Sequence, residues 1–285
     1  MKKLFKKIIT KNLYLDHLYQ LSSTYFYYYK IKNSPFVKNI YEKKIYYELF
    51  NKVKNLNYKE VELFENKCSF KIDKYWLDDL ALITQVTIKK SNLCYAHGRV
   101  IYSCLSNFLS SINENVNIVE TGTSKGFSSL CMAKALSDLN KKGKINTIDI
   151  LPKNKKIYWN SISDAKGKLT RSELLGKWRD LIEKYINYYE GFSNKILKNY
   201  LDLNRIHFAF LDGSHTYLDV GFEFTFISKR QIKNDLIIVD DYNDQYPGLI
   251  KAVNQLSQVF NYSIELINSE RNRTYAICKK MINET

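Results

Sequence analysis

The chain has 285 residues, 45% of them hydrophobic, with only three prolines, which suits one well-buried domain plus a smaller appendage rather than a disordered chain. Its formal net charge of +15 permits a nucleic-acid or anionic-membrane partner. Most of that charge is lysine amid abundant Asn, Ile and Tyr, the mixture an AT-rich genome imposes on any protein. Five cysteines without a C-x-x-C pair indicate neither a zinc site nor a disulfide framework, and fit reduced thiols in a cytosolic core.

Residues 1–60 hold 13 Lys/Arg against 4 Asp/Glu and are dense in tyrosine, with Tyr25-Phe-Tyr-Tyr-Tyr29 the extreme case. The apolar stretch at the start is interrupted by Lys6, Lys7 and Lys11, so it reads as neither a signal peptide nor a membrane span. A cytoplasmic protein is expected, touching a membrane surface through this basic end. Leu13, Leu15, Leu18 and Leu21 suggest a helix, and from Trp76 to about Ile112 the pattern is helical and amphipathic. Residues 1–90 are therefore read as a helical, basic, Tyr-rich region preceding a domain over 91–285.

That domain alternates strand and helix. Val116–Glu120, Ile145–Ile150, Tyr185–Tyr189, Ile206–Leu211 and Leu236–Val239 are short buried-strand candidates. Helical faces separate most of them, such as Phe127, Leu130, Cys131, Ala135 and Leu139, or Tyr217, Val220, Phe224 and Ile227. Alternation of this kind predicts an α/β fold with a parallel sheet covered on both faces. Tyr262–Ile267 and Thr274–Cys278 follow with a short connection, which forces an antiparallel pair.

The loop after the first strand reads Glu120-Thr-Gly-Thr-Ser-Lys-Gly126. Ser124 and Phe127 stand where a dinucleotide fingerprint needs its second and third glycines, so close approach of a pyrophosphate is disfavoured. A ligand without phosphates suits Glu-x-Gly-x-x-x-Gly better. Glu120 could face a cationic ligand group, and Asp149, at the next strand end, could accept hydrogen bonds from ribose hydroxyls. The connection 151–184 carries Tyr158, Trp159, Arg171 and Trp178. It reads either as a substrate wall over the strand tips or as an ordinary crossover helix over Ser172–Lys184 with Trp178 in the core.

These motifs resemble those of class I S-adenosylmethionine-dependent methyltransferases. Val119-Glu-Thr-Gly-Thr-Ser-Lys-Gly126 looks like their first motif, Thr147-Ile-Asp149 their second, and Tyr189-Glu-Gly-Phe-Ser193 the segment that flanks the adenine. The resemblance covers roughly Cys94 to Lys280 and implies a Rossmann-like seven-stranded, mostly parallel sheet with a C-terminal antiparallel pair. It assigns cofactor contacts to Glu120, Gly122, Thr123 and Ser124, and further ones to Gly126, Asp149, Ser193 and Asp212.

Asp212-Gly-Ser-His215 and Asp240-Asp-Tyr242 are similar to metal-dependent sugar O-methyltransferases of the macrocin O-methyltransferase type. That likeness implies Mg²⁺ held by Asp212, Asp240 and Asp241, with His215 as general base. Carboxylates crowded at neighbouring strand tips need a cation, and a coordinated hydroxyl loses its proton more readily. Asp212 and His215, three residues apart, are expected on one side of a first helical turn. The substrate expected is a hydroxyl of a small molecule or glycan, and homo-oligomers are common among enzymes of this type. Two other readings stand beside this one: an RNA methyltransferase, which the basic start suggests but the lack of an Asn-Pro-Pro-Tyr motif disfavours, and a non-catalytic binding protein on the same scaffold.

Overall fold

The structure, a computed structural model, describes residues 12–33, 41–89, 92–269 and 273–282. The basic stretch before Asn12, where membrane contact is expected, lies outside the described residues. Helices come first: α1 (Leu13–Asn33), α2 (Lys43–Val53), α3 (Lys59–Cys68), α4 (Lys74–Thr84) and α5 (Ala96–Ser110). None of the described helices is long and apolar enough to cross a membrane.

Strands and helices then alternate. β1 (Val116–Thr121), β2 (Gly143–Asp149), β3 (Ile186–Glu190), β4 (Phe208–Leu211), β5 (Leu236–Val239), β6 (Tyr262–Ser269) and β7 (Arg273–Lys280) form one seven-stranded sheet in the order β3-β2-β1-β4-β5-β7-β6. The first five are mutually parallel, and β7 runs antiparallel to both β5 and β6. This is the Rossmann-like architecture expected, with each anticipated strand placed to within about two residues.

The apolar runs become strands because both faces are covered. Along β4 and β5, Phe208, Phe210 and Ile238 pack on one side while Ala209, Leu211, Ile237 and Val239 pack on the other, the two-residue alternation of a pleated strand. On the first side a single core continues from Tyr46, Val61, Phe64 and Leu80 in α2–α4, through Val100 and Leu105 in α5, to the sheet. The second side is closed by α9 (Ser193–Asn199), α10 (Tyr217–Ser228) and α11 (Pro247–Val259). All five cysteines are buried and free.

The connection between β2 and β3 differs from a single crossover helix over Ser172–Lys184. It breaks into α7 (Arg171–Leu174), a 3₁₀ turn at Gly176–Trp178 and α8 (Arg179–Tyr185), with Gly176 at the break. Trp159 is fully buried and donates its Nε1–H to the Leu169 carbonyl at 2.8 Å. Trp178 is buried beside Trp76. Both indoles thus support the insertion from below instead of facing a ligand.

Candidate active site

β1 lies between β2 and β4, so the chain leaves it toward one edge and later returns to its other side. Ligands of open α/β sheets bind where strand order reverses in this way, above the carboxyl ends. Thr121 and Leu211 are paired in register, which sets Gly122 directly beside Asp212. A Cβ on Gly122 would lie 2.2 Å from the Asp212 carbonyl oxygen, and its φ of 93° is a left-handed conformation. Only glycine allows the two strand ends to approach this closely.

A cleft of about 630 Å³ opens here, lined by Gly122, Ser124, Asp149, Leu151, the Gly191–Lys195 segment, and Asp212 to His215. The volume lies in the usual range for small-molecule sites. Asp149 accepts from the Ser124 amide at 2.5 Å and from the Leu151 amide at 2.8 Å, which fixes its carboxylate at the rim of the glycine loop. Ser193, in the first turn of α9, also lines the cleft. Gly126 has φ 93° and begins α6 (Phe127–Asp138).

Two residues expected to face the ligand turn inward. Glu120 is fully buried and accepts from the Ser128 and Ser129 hydroxyls in the first turn of α6, so it anchors that helix rather than meeting a cationic group. Burial pushes its pKa up, against the pull of those hydroxyls. Thr123 is buried as well, its Oγ1 lying 2.5 Å from that of Thr147.

The acidic cluster divides into two layers. Asp212, His215 and Asp241 present ligand atoms within 4.8 Å of one another. His215 Nε2 is 3.3 Å from Asp241 Oδ2 and 4.0 Å from Asp212 Oδ1. Its ring stacks on Tyr246, with centroids 4.2 Å apart and an interplanar angle of 22°. Asp212 and His215 reach this arrangement through a loop and not along a helical turn, since α10 begins at Tyr217 with Thr216 as its N-cap.

Asp240 sits beneath, with no exposed surface, and is taken by Arg273 in a two-pronged pair: Nε donates to Oδ1 at 2.9 Å and Nη2 donates to Oδ2. Burial alone would raise the Asp240 pKa, but the guanidinium more than offsets this and holds it below the usual carboxylate range. Asp212 goes the other way, pushed well up by burial and by the Asp240 charge. Arg273 also stands 3.9 Å from both Asp212 and Asp241.

One guanidinium thus faces three carboxylates among the described residues, with the Lys89 ammonium close enough to act on Asp212 and Asp241, and the crowding that pushes Asp212 up is what a divalent cation would relieve. His215 Nε2 is buried and lacks a hydrogen-bond partner. The Asp212 and Asp241 carboxylates are oxygen donors that fit such an ion, and the unpartnered imidazole nitrogen between them stays open to accept a proton. Asp240, with both oxygens on Arg273, is less available to it than Asp212 and Asp241.

Sequence reasoning missed Arg273 and Glu223. Glu223 is buried in α10, where its Oε2 accepts from Thr121 Oγ1 at 2.9 Å beneath the cleft. The signal for Arg273 was the β5–β7 pairing, which aligns Val239 with Ala276 and so carries the start of β7 past Asp240. A glutamate flanked by Phe222 and Phe224 in a largely apolar helix was the signal for Glu223.

Residues 119–242 match the family described as a methyltransferase domain. The chain is similar to the O-methyltransferase NovP, at 16% identity over 64% of this chain and 78% of that chain, with a TM-score of 0.48. It is similar also to the O-methyltransferase TomG from Streptomyces achromogenes, involved in tomaymycin synthesis and solved with S-adenosylmethionine; identity is 14%, coverage 74% and 92%, and the TM-score 0.49. An O-methyltransferase from Bacillus cereus in complex with S-adenosylhomocysteine shares 12% identity over 79% of this chain and 93% of that chain, with a TM-score of 0.46. None of the curated proteins matches the sequence.

Proposed function

We propose that the methyltransferase domain at residues 119–242 carries a methyl group from S-adenosylmethionine to a hydroxyl, in a divalent-metal-assisted O-methyl transfer. The observation that carries this reading is the meeting of Asp212 and His215, which line the glycine-loop cleft, with Asp241 beside them. The cofactor would supply a methyl group on a sulfonium leaving group. Gly122, Ser124, Asp149 and Ser193 would hold it, with Asp149 set for the ribose hydroxyls. A divalent cation, Mg²⁺ on the resemblance, would be held by Asp212 and Asp241 and would lower the pKa of a coordinated hydroxyl.

The protein's own residues then have defined tasks. His215 takes the hydroxyl proton at Nε2, a nitrogen with no hydrogen-bond partner of its own. The neighbouring carboxylates stabilise the imidazolium that results, and stacking on Tyr246 fixes the ring plane. Arg273 keeps Asp240 charged and in place, so the floor of the site does not move. Positioning of acceptor oxygen and methyl carbon supplies much of the rate. The acceptor class, a saccharide or glycoconjugate precursor, rests on the likeness of Asp212-Gly-Ser-His215 and Asp240-Asp241-Tyr242 to sugar O-methyltransferases.

The test is a calorimetric titration with S-adenosylhomocysteine, then with Mg²⁺ or after EDTA, on wild type and Asp241→Asn. Asn tolerates the left-handed backbone that Asp241 adopts, φ 54°. Cofactor-product binding in both proteins, with a Mg²⁺ heat in wild type alone, is the expected result. Binding without any response to Mg²⁺, Mn²⁺ or EDTA removes the metal from the mechanism. No binding of S-adenosylhomocysteine by wild type overturns the reading altogether.

A further inference from the structure

The cleft has a wall that the methyltransferase domain does not supply. Gln20, Leu21 and Tyr25 of α1 line it together with Asp149, Ile150 and Leu151. This helix lies in the first part of the chain, almost a hundred residues before the matched segment begins. Its placement comes from side chains at helical spacing. His17, Leu21 and Tyr25 recur every four residues and so form one stripe along α1.

Two contacts hold that stripe in place. His17 Nδ1 is 3.2 Å from Thr216 Oγ1 and 3.8 Å from Asp219 Oδ2. Thr216 is the N-cap of α10, one residue past His215, and its hydroxyl donates to Asp219 at 2.8 Å. One end of the α1 stripe is thus fastened to the loop that carries Asp212 and His215. At the other end, Tyr25 stacks on Phe192, with centroids 5.8 Å apart and an interplanar angle of 28°. Phe192 belongs to the Gly191–Lys195 segment that forms another side of the same cleft.

We propose that α1 is the outer wall of the cofactor site, and that Leu21 and Tyr25 bind the nucleoside end of the ligand together with Phe192. This rests on the reading of the cleft as a methyl-donor site. The chemistry suits a flat heteroaromatic ring beside a ribose. Asp149 offers a fixed carboxylate, Ile150 and Leu151 an apolar floor, and the Tyr25–Phe192 pair an aromatic edge. Without a ligand, 38% of Leu21 and 56% of Tyr25 remain exposed at the cleft mouth. Covering that apolar surface is a source of affinity. A ligand packed against this wall loses that contact as it leaves, so α1 slows its dissociation.

Binding and release of S-adenosylhomocysteine, by calorimetry and by stopped-flow displacement, test this in the full chain. Leu21→Ala/Tyr25→Ala is expected to weaken binding by roughly tenfold or more, with most of the change in the dissociation rate. Tyr14→Ala, on a residue 73% exposed and outside the cleft lining, should bind like wild type. Thermal unfolding of each variant shows whether the main domain stays folded, because the buried core of the sheet contains neither Leu21 nor Tyr25. Wild type that binds while Leu21→Ala/Tyr25→Ala binds and releases equally well overturns this inference and leaves the donor-site reading intact. Wild type that fails to bind overturns that reading first.

Discussion

Removing Arg273 is the sharpest structural perturbation of the site. Asp240 has no exposed surface, and both of its oxygens are met by the Arg273 guanidinium. In Arg273→Ala the carboxylate stays buried without its partner, and breaking a buried pair from one side costs about 3–5 kcal/mol. That is a large share of the ~5–15 kcal/mol by which domains are stable. Arg273→Ala/Asp240→Asn removes the charge along with its partner, so at least about 2 kcal/mol of the loss should return. Urea unfolding of wild type, the single variant and the double variant reads both numbers, provided the slope is unchanged. The proposed divalent site adds a second readout. With Asp240 released, Mg²⁺ should stabilise Arg273→Ala more than it stabilises wild type, since binding to the folded state alone shifts the equilibrium. A single variant within about 1 kcal/mol of wild type, or a double variant no more stable than the single, would refute the two-layer division of the carboxylates.

Two further predictions test the ground beneath the cleft. Glu223 is pushed up to about 7 by burial, despite hydrogen bonds from Ser193 and Thr121. The folded protein keeps this proton over a range in which the unfolded chain has lost it, so stability falls as pH rises from about 4.5 to about 7. Glu223→Gln should flatten that slope, match wild type near the lower limit, and exceed it above neutrality by up to about 3 kcal/mol; an unchanged slope in chemical denaturation across pH would contradict the assignment. Gly122→Ala places a Cβ 2.2 Å from the Asp212 carbonyl oxygen at a left-handed backbone position. Binding of S-adenosylhomocysteine should drop at least about tenfold and stability by ~1–3 kcal/mol, and wild-type binding in this variant would show that the two strand ends need not approach so closely.

The sheet was legible because its strands obey local rules. Leu236–Val239 is an unbroken apolar run covered on both faces, and its boundaries follow from that alone. The Gly122 and Gly126 turns were legible for the same reason, since each needs a backbone conformation that few other residues adopt. Side-chain direction was harder. Glu120 stands one residue before the strand end, on the side of α6, where two serines one turn into the helix claim its oxygens. The sequence leaves the connection that carries Trp159 and Trp178 open between a substrate wall and a crossover with Trp178 in the core; an insertion this long needs a core of its own, and both indoles supply it.

The Asp240–Asp241 pair shows where reading along the chain runs out. Two adjacent carboxylates at a strand tip are equivalent until something distant distinguishes them. What distinguishes them is the antiparallel return of β7, which brings Arg273 against the first of the pair from 33 residues away. The second takes a left-handed backbone, φ 54°, and turns its carboxylate toward His215. The strand-tip pattern alone assigns both to one metal site, whereas the topology gives one a cation already present in the chain and leaves the other beside His215. The same holds for α1, which no motif marks as part of a ligand site and which reaches the cleft through contacts to Thr216 and Phe192, far along the chain. Whichever ligand occupies the cleft, its affinity therefore depends on how firmly His17 and Tyr25 hold α1 against the domain, so substitutions outside residues 119–242 will alter binding without touching the glycine loop.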